Sequence, residues 1–319
     1  MSPPKISLSI VVPVYRSESI LPLLVEKLQQ ELNGMQFPDG FELILVNDSS
    51  PDNSWKVICD LAARHPFVRG LSLRRNFGQH NATMAGLHQA RGEIVVVMDD
   101  DLQHPPDAIA FMVAAIEDGS DVCYTQYTNR QHAAWKKLGS AFNDWAARHL
   151  LNKPRGLYLS SFKAMRAEVV AEIIKYDGPY AYIDGLILDV TRNINVVSIN
   201  HQARHSGEGN YNLRRSVSLW LKMATSFSIL PLRLVSYAGF LISVFSLIMI
   251  AYVVVQKFLH PEIPAGWASL IATILLIGGV QTLSIGMLGE YLGRTYLKLN
   301  RKPQFVIASR TEWGVHEQA

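Results

Sequence analysis

The sequence predicts an α/β fold built on a mostly parallel sheet, and three observations carry that prediction. Short β-branched runs alternate with helix-length stretches from Ile6 to Tyr127, the pattern of βαβ units. Polar clusters follow three of those runs: Pro13-Val14-Tyr15-Arg16, Asn47-Asp48-Ser49 and Asp99 to Gln103. In parallel α/β sheets, ligands sit outside the carboxyl ends of the strands, so these clusters mark one candidate site. The third observation is that the apolar excess, 49% of the 319 residues, is concentrated near the C-terminus.

The elements follow in order. Ile6 to Val12 reads as the first strand, ending at Pro13. Ser17 or Ser19 can cap a helix running to about Leu32. Phe41 to Val46 is the second strand, and the turn formers from Asn47 to Asp52 close it. Ser54 to Arg64 reads as helix, Val68 to Leu73 as strand and Asn81 to Ala90 as helix. The Ile94 to Met98 run fits a strand buried on both faces. Pro105-Pro106 then suits the start of a helix from Asp107 to Asp118. Strands are expected at Asp121 to Tyr127 and Val196 to Ile199, separated by a basic helical region carrying Arg130, Lys136, Lys137 and Arg148.

Beyond Tyr211 the composition changes. Leu213 to Ser228 places Leu213, Val217, Trp220, Leu221 and Ala224 at helical spacing beside Arg214, Arg215 and Lys222, which suits an anionic membrane surface. Val235 to Val255 and Trp267 to Leu288 are uncharged apolar runs, each long enough for the ~20 residues that a bilayer crossing needs. Arg233 precedes the first run, and Arg294, Lys298, Arg301 and Lys302 follow the second, so the positive-inside rule puts both termini in the cytosol. The expected organisation is a cytosolic domain over 1–212, an interfacial helix over 213–230, a two-helix transmembrane anchor over 231–290 and a cytosolic tail over 291–319.

Several classes are excluded. A net charge of +3 gives no electrostatic case for nucleic acid. Cys59 and Cys123 read as buried core thiols, with no disulfide framework or Cys/His zinc spacing, and His149, His201 and His205 lack ligand spacing. The N-terminus, Met1 to Lys5, has no apolar signal core. A dinucleotide-binding Rossmann enzyme needs Gly-x-Gly-x-x-Gly after its first strand, where this chain has Pro-Val-Tyr-Arg-Ser-Glu.

Asp99-Asp100-Asp101 lies where a buried strand surfaces. Carboxylates there are costly unless paired or metal-bound. Asp99 and Asp101 offer hard oxygen ligands to a divalent cation, with the Gln103 amide oxygen as a third and pyrophosphate oxygens completing the shell. An acidic loop capping a helix accounts for the same residues, and the local pattern leaves both readings open.

Asp-Asp-Asp-Leu-Gln-His-Pro-Pro, from Asp99 to Pro106, resembles the Asp-x-Asp-Leu-Gln-x-Pro-Pro signature of inverting family 2 glycosyltransferases that charge polyprenyl phosphates. That group includes dolichyl-phosphate mannose synthases, bactoprenol glucosyltransferases and undecaprenyl-phosphate formamido-arabinose transferases. The similarity runs from about Leu8 to Pro303. It implies a GT-A nucleotide-diphospho-sugar transferase domain, Mg²⁺ or Mn²⁺, a nucleotide-sugar donor and a polyprenyl-phosphate acceptor. It also implies a bacterial inner membrane location and is compatible with a homo-oligomer.

By the same resemblance Pro13, Tyr15 and Asp48 hold the nucleoside. Asp99 and Arg75, the latter in Arg74-Arg75-Asn76-Phe77-Gly78, join the donor contacts. Arg204, in a loop that retains Gly207 and Tyr211, neutralises phosphate. Asp101 acts at the metal, and Arg130 and Lys137 receive the lipid phosphate. The chain departs from the family at Arg16-Ser17 for Asn-Glu, at Asn47 for Asp, and at Gly209-Asn210 for Ser-Lys. Leu157 stands where many relatives carry an aspartate assigned as base. These departures keep a non-enzymatic nucleotide-sugar-binding scaffold as a second reading. A transferase with another lipid or glycan acceptor is a third, although the Gln-x-x-Arg-Trp motif of processive synthases is absent.

Overall fold

The computed structural model describes residues 6–35, 37–127, 154, 157–178, 181–199, 230–259, 266–300 and 302–311. Eight strands form one mixed sheet in the order β7-β5-β6-β4-β1-β2-β3-β8. Its centre is parallel: β1 (Ile6–Val14) lies between β2 (Phe41–Asn47) and β4 (Gly92–Val97), and β3 (Val68–Leu73) pairs with β2. Helices α1 (Leu21–Asn33), α2 (Ser54–Arg64) and α3 (Gln79–Leu87) make the crossovers, so β1 to β4 all end at one edge.

Alternation along β1 shows why the sheet is buried on both faces. Ile10, Val12 and Val14 join the core cluster with Leu24, Leu28, Ile109 and Met112, from α1 and from α4 (Ala108–Glu117). Val11 points the other way, where α3 approaches so closely that a Cβ on Gly86 would stand 2.3 Å from Val11 Cγ1. Pro13 lacks an N–H, but it lies beyond the last β1–β4 pair, Val11 with Val97, so the ladder loses little.

The second half of the sheet turns antiparallel. β6 (Lys163–Arg166) runs against both β4 and β5 (Val122–Tyr127), and β5 pairs in parallel with β7 (Ile194–Ile199). Helices α5 (Ala167–Ile173) and α6 (Ile183–Val190) lie between β6 and β7 in the chain.

The expected C-terminal tail has a different fate. β8 (Ile307–Arg310) returns to the sheet unit and pairs antiparallel with β3. Thr311 and Gly70 exchange hydrogen bonds, the Arg74 N–H donates to the Val306 carbonyl at 2.9 Å, and Gln304 Nε2 donates to the Gly178 carbonyl at 2.9 Å. The tail thus covers a sheet edge that would otherwise offer unpaired backbone groups.

The other unit, Tyr211–Asn300, contains α7 (Leu230–Leu259) and α8 (Trp267–Leu299), which pack on each other. Both outrun the expected apolar runs. Their side chains include the exposed Phe240, Phe245, Tyr252, Phe258, Leu276 and Leu288. Among the described residues alone, no helix is long and apolar enough to cross a membrane. The segment 213–229, expected as an interfacial helix, lies outside the described residues. Cys123 is buried as expected, whereas Cys59 is only half-buried on α2.

Candidate active site

The carboxyl edge of the parallel strands gathers four loops. Three of them store strain in a non-glycine residue: Arg16 after β1, Ser49 after β2 and Leu102 after β4 have φ of 59°, 53° and 58°. A bulky Leu in the left-handed region is costly, and such residues cluster where surrounding contacts over-determine the backbone.

Those contacts are present. Asp100 Oδ2 accepts the Tyr15 N–H at 3.1 Å and the Ser17 hydroxyl, tying the β1 loop to the β4 loop. Burial raises the Asp100 carboxyl to about 6; the Ser17 and Tyr15 hydrogen bonds pull it down, and Asp99 and Asp101 push it up. The Arg16 N–H donates to Ser50 Oγ at 3.0 Å, joining the β1 and β2 loops. Asp100 is the middle residue of the acidic triplet, and the family signature Asp-x-Asp leaves its position open. Three consecutive aspartates were the available signal.

Asp48 is 3% exposed, and its two oxygens accept the Phe77 N–H at 2.7 Å and the Gly78 N–H at 2.8 Å. Burial lifts its carboxyl above the ordinary value, partly countered by those two donors. Asp48 therefore anchors the Arg74–Gly78 loop, and Gly78, at φ 89°, makes the turn into α3. Arg75 is exposed on that loop, its guanidinium 4.4 Å from the Phe77 ring centroid. Tyr15 is 43% exposed, with Arg16 over its ring at 5.5 Å, and Pro13 is buried in β1.

Asp99 is held on three sides. Its Oδ1 accepts Gln79 Nε2 at 2.6 Å, its Oδ2 accepts the Ser161 hydroxyl at 2.6 Å, and its N–H donates to His104 Nδ1 at 3.1 Å. His104 stacks on Phe162 at 4.9 Å; burial lowers its pKa against the opposing pull of Asp99 and Asp101. Asp101 Oδ1 accepts the Gln103 backbone N–H at 3.1 Å, a local turn that holds the carboxylate against the chain at Gln103. Among the described residues, no three His, Cys, Asp or Glu side chains gather tightly enough to hold a metal alone. The Asp99 and Asp101 carboxylates and the Gln103 amide are oxygen donors of the kind a hard cation takes, a set that phosphate oxygens would have to complete.

The structure thus brings together Pro13, Tyr15, Asp48, Arg75, Asp99, Asp101 and Gln103 on one sheet edge. Arg130, Lys137 and Arg204 lie outside the described residues. Leu157 is 7% exposed, an apolar residue with no proton to exchange. Ser17, Gln79, His104 and Ser161 were missed by sequence. His104 lies inside the acidic motif and Ser17 in the polar stretch after the first strand, whereas Gln79 and Ser161 carry no such local signal.

Comparison with known proteins agrees with this architecture. Residues 9–174 match the glycosyl transferase family 2 model, and residues 230–295 match a GtrB C-terminal hairpin. The undecaprenyl-phosphate 4-deoxy-4-formamido-L-arabinose transferase of Pseudomonas savastanoi pv. phaseolicola is 32% identical over 303 residues, covering 94% of this chain and 89% of that protein. The Proteus mirabilis protein of the same name is 32% identical over 302 residues, covering 94% and 92%. Glucosyl-3-phosphoglycerate synthase from Mycobacterium tuberculosis, solved with Mn²⁺, uridine diphosphate and phosphoglyceric acid, superposes with a TM-score of 0.52 at 17% identity, covering 69% of this chain and 76% of that one. That likeness concerns the fold alone. With a family model spanning residues 9–174 and relatives aligned over 94% of its length, the chain belongs to glycosyl transferase family 2.

Proposed function

We propose that this protein is an inverting glycosyltransferase that moves one sugar from a nucleotide-diphospho-sugar to a polyprenyl phosphate of the undecaprenyl type. One observation carries the reading: the likeness to undecaprenyl-phosphate transferases covers 94% of the chain, so it takes in the helical hairpin as well as the sheet domain.

The residues divide the work as follows. Tyr15 and the strained loops after β1 and β2 receive the nucleoside, with Pro13 setting the strand end. Asp48 holds the loop that presents Arg75 and the α3 N-terminus, both positive, to the diphosphate. Asp99, Asp101 and Gln103 would hold Mg²⁺ or Mn²⁺, which when bound neutralises the departing nucleoside diphosphate. Arg204 adds fixed positive charge there, and Arg130 and Lys137 position the acceptor phosphate.

An acceptor phosphate oxygen attacks the anomeric carbon. The bond from that carbon to the β-phosphate oxygen breaks, and its electron pair leaves with the nucleoside diphosphate. A hydroxyl acceptor needs a base to take its proton. A phosphate monoester has a second pKa of about 6 and is already a nucleophile at neutral pH. Leu157 in the base position therefore favours a phosphate acceptor over a sugar hydroxyl.

The uncharged runs within α7 and α8, with aromatic and aliphatic side chains exposed along both helices, favour a two-helix membrane anchor with the sheet domain and both termini in the cytosol of a bacterial cell. Because β8 is part of the sheet, the anchor has to be tested without losing the tail. Replacing residues 230–300 with a Gly/Ser linker, 301–319 retained, should leave nucleotide binding within about twofold. It should also lower transfer to long-chain lipid in vesicles on the order of 10²-fold, as colocalisation is lost. Equal turnover of the two proteins on vesicle-borne lipid would refute the anchoring role.

A further inference from the structure

The two arms that hold Asp99 lead to one buried ion pair. On one side Ser161 grips Asp99 Oδ2, and two residues later Lys163 sits opposite Val97 at the end of β4. On the other side Gln79 grips Asp99 Oδ1, and the next residue, His80, meets the Tyr182 ring edge-on at 5.2 Å. Tyr182 is the N-cap of α6, and two residues later Asp184 lies in that helix's first turn. Lys163 Nζ and Asp184 Oδ1 form an ion pair, and the Tyr124 hydroxyl donates to the same oxygen at 2.9 Å. The ammonium also stands 5.1 Å from the Tyr124 ring centroid.

Exposures of 3% for Lys163, 7% for Asp184 and 0% for Tyr124 put the whole group inside the protein. Burying both charges is costly, and apolar residues of similar size often fold a core equally well. The β4 residues paired with β6 carry no such charges, Val95, Val96 and Val97 being buried there, while the sheet's other buried ion pair, Glu42 with Arg69, lies at the start of β2 and β3, away from the carboxyl edge. Fold stability alone therefore gives little reason to keep charges here. A directional link between β5, β6 and α6 gives one, since Ser161 stands two residues before Lys163 of β6 and His80, next to Gln79, abuts the Tyr182 N-cap of α6.

We propose that Lys163 and Asp184, with Tyr124, are a positioning group for Asp99, fixing the orientation of that carboxylate through Ser161 and through the His80–Tyr182 contact. The inference rests on the reading of Asp99 as a metal ligand.

The test separates orientation from stability. In the full-length protein, Lys163→Met/Asp184→Leu/Tyr124→Phe replaces the group with apolar residues of similar volume. Thermal unfolding reports stability, and Mn²⁺ binding is followed by electron paramagnetic resonance with whichever of UDP, CDP or GDP the wild type binds best. The expected result is a melting temperature close to wild type with Mn²⁺ half-saturation weakened about tenfold or more, the usual cost of losing outer-shell support. Wild-type Mn²⁺ binding in the folded triple variant overturns the proposal. Should the triple variant not fold, Tyr124→Phe alone, which removes one hydroxyl and keeps the ring, decides: half-saturation weakened about threefold supports it, and no change overturns it. If wild-type protein binds no Mn²⁺ with any of the three nucleotides, the metal reading itself fails and takes this inference with it.

Discussion

Asp101→Asn should abolish most metal-dependent turnover while leaving the fold unchanged. The amide keeps an Oδ1 acceptor for the Gln103 N–H, so the local turn survives, and the melting temperature should stay within about 2 °C of wild type. What is lost is a charged oxygen at the cation. Stabilisation of a departing diphosphate by a divalent ion is worth several kcal/mol, so kcat should fall on the order of 10²–10³-fold. Raising Mn²⁺ should recover part of the loss if the defect is in binding. Initial rates across a Mn²⁺ series, with circular dichroism on the same sample, check both halves. Wild-type turnover from folded Asp101→Asn would remove Asp101 from the site.

Asp48→Ala should injure both stability and donor use. Two backbone N–H groups, of Phe77 and Gly78, lose their partners in a part-buried setting, and each such loss costs about 1–3 kcal/mol. Relief from burying a carboxylate offsets part of that, so a net destabilisation of about 1–3 kcal/mol is expected. The loop that presents Arg75 would then no longer be held, and the donor KM should rise about tenfold with the acceptor KM little changed. Asp48→Asn keeps one oxygen acceptor and should fall between the two. Denaturant unfolding and separate KM measurements for donor and acceptor test this. A donor KM unchanged in Asp48→Ala would mean that the loop orders itself without the anchor.

The elements that sequence reading recovered are those with strong local periodicity. β3 and α2 match their expected bounds, and β1, β2 and β4 differ by a residue or two, because runs such as Val95 to Val97 have no alternative to a doubly buried strand. The α3 start was placed late. Gln79 and His80 are polar and look like loop, but Gly78 turns the chain into helix before them. Neither Ser17 nor Ser19 caps α1, whose N-cap is Ile20 with Pro22 in the first turn.

β8 was not legible, since a four-residue strand partnered far back in the sequence leaves no local signature. The site shows the same division. Asp99 and Asp101 stand in a dense motif, and Tyr15 and Arg75 lie directly after strands. Ser161 and Gln79 come from other parts of the chain, and only the sheet order β6-β4-β1, with α3 against β1, brings them to the acidic loop. Asp48 shows a subtler limit: its position was readable, but the two amides that occupy it belong to a loop that begins after another strand.

Transfer to a lipid phosphate is the central claim, and one assay addresses it directly. Purified full-length protein with Mn²⁺ is given a panel of radiolabelled nucleotide sugars and two acceptors, undecaprenyl phosphate in vesicles and a soluble sugar with free hydroxyls. One donor should label the lipid phosphate, the hydroxyl acceptor should stay unlabelled, and the rate should rise through about pH 6, where the monoester gains its second charge, then level off. Efficient labelling of the hydroxyl acceptor with none of the polyprenyl phosphate would contradict that claim, and a catalytic base would then have to be sought in place of Leu157.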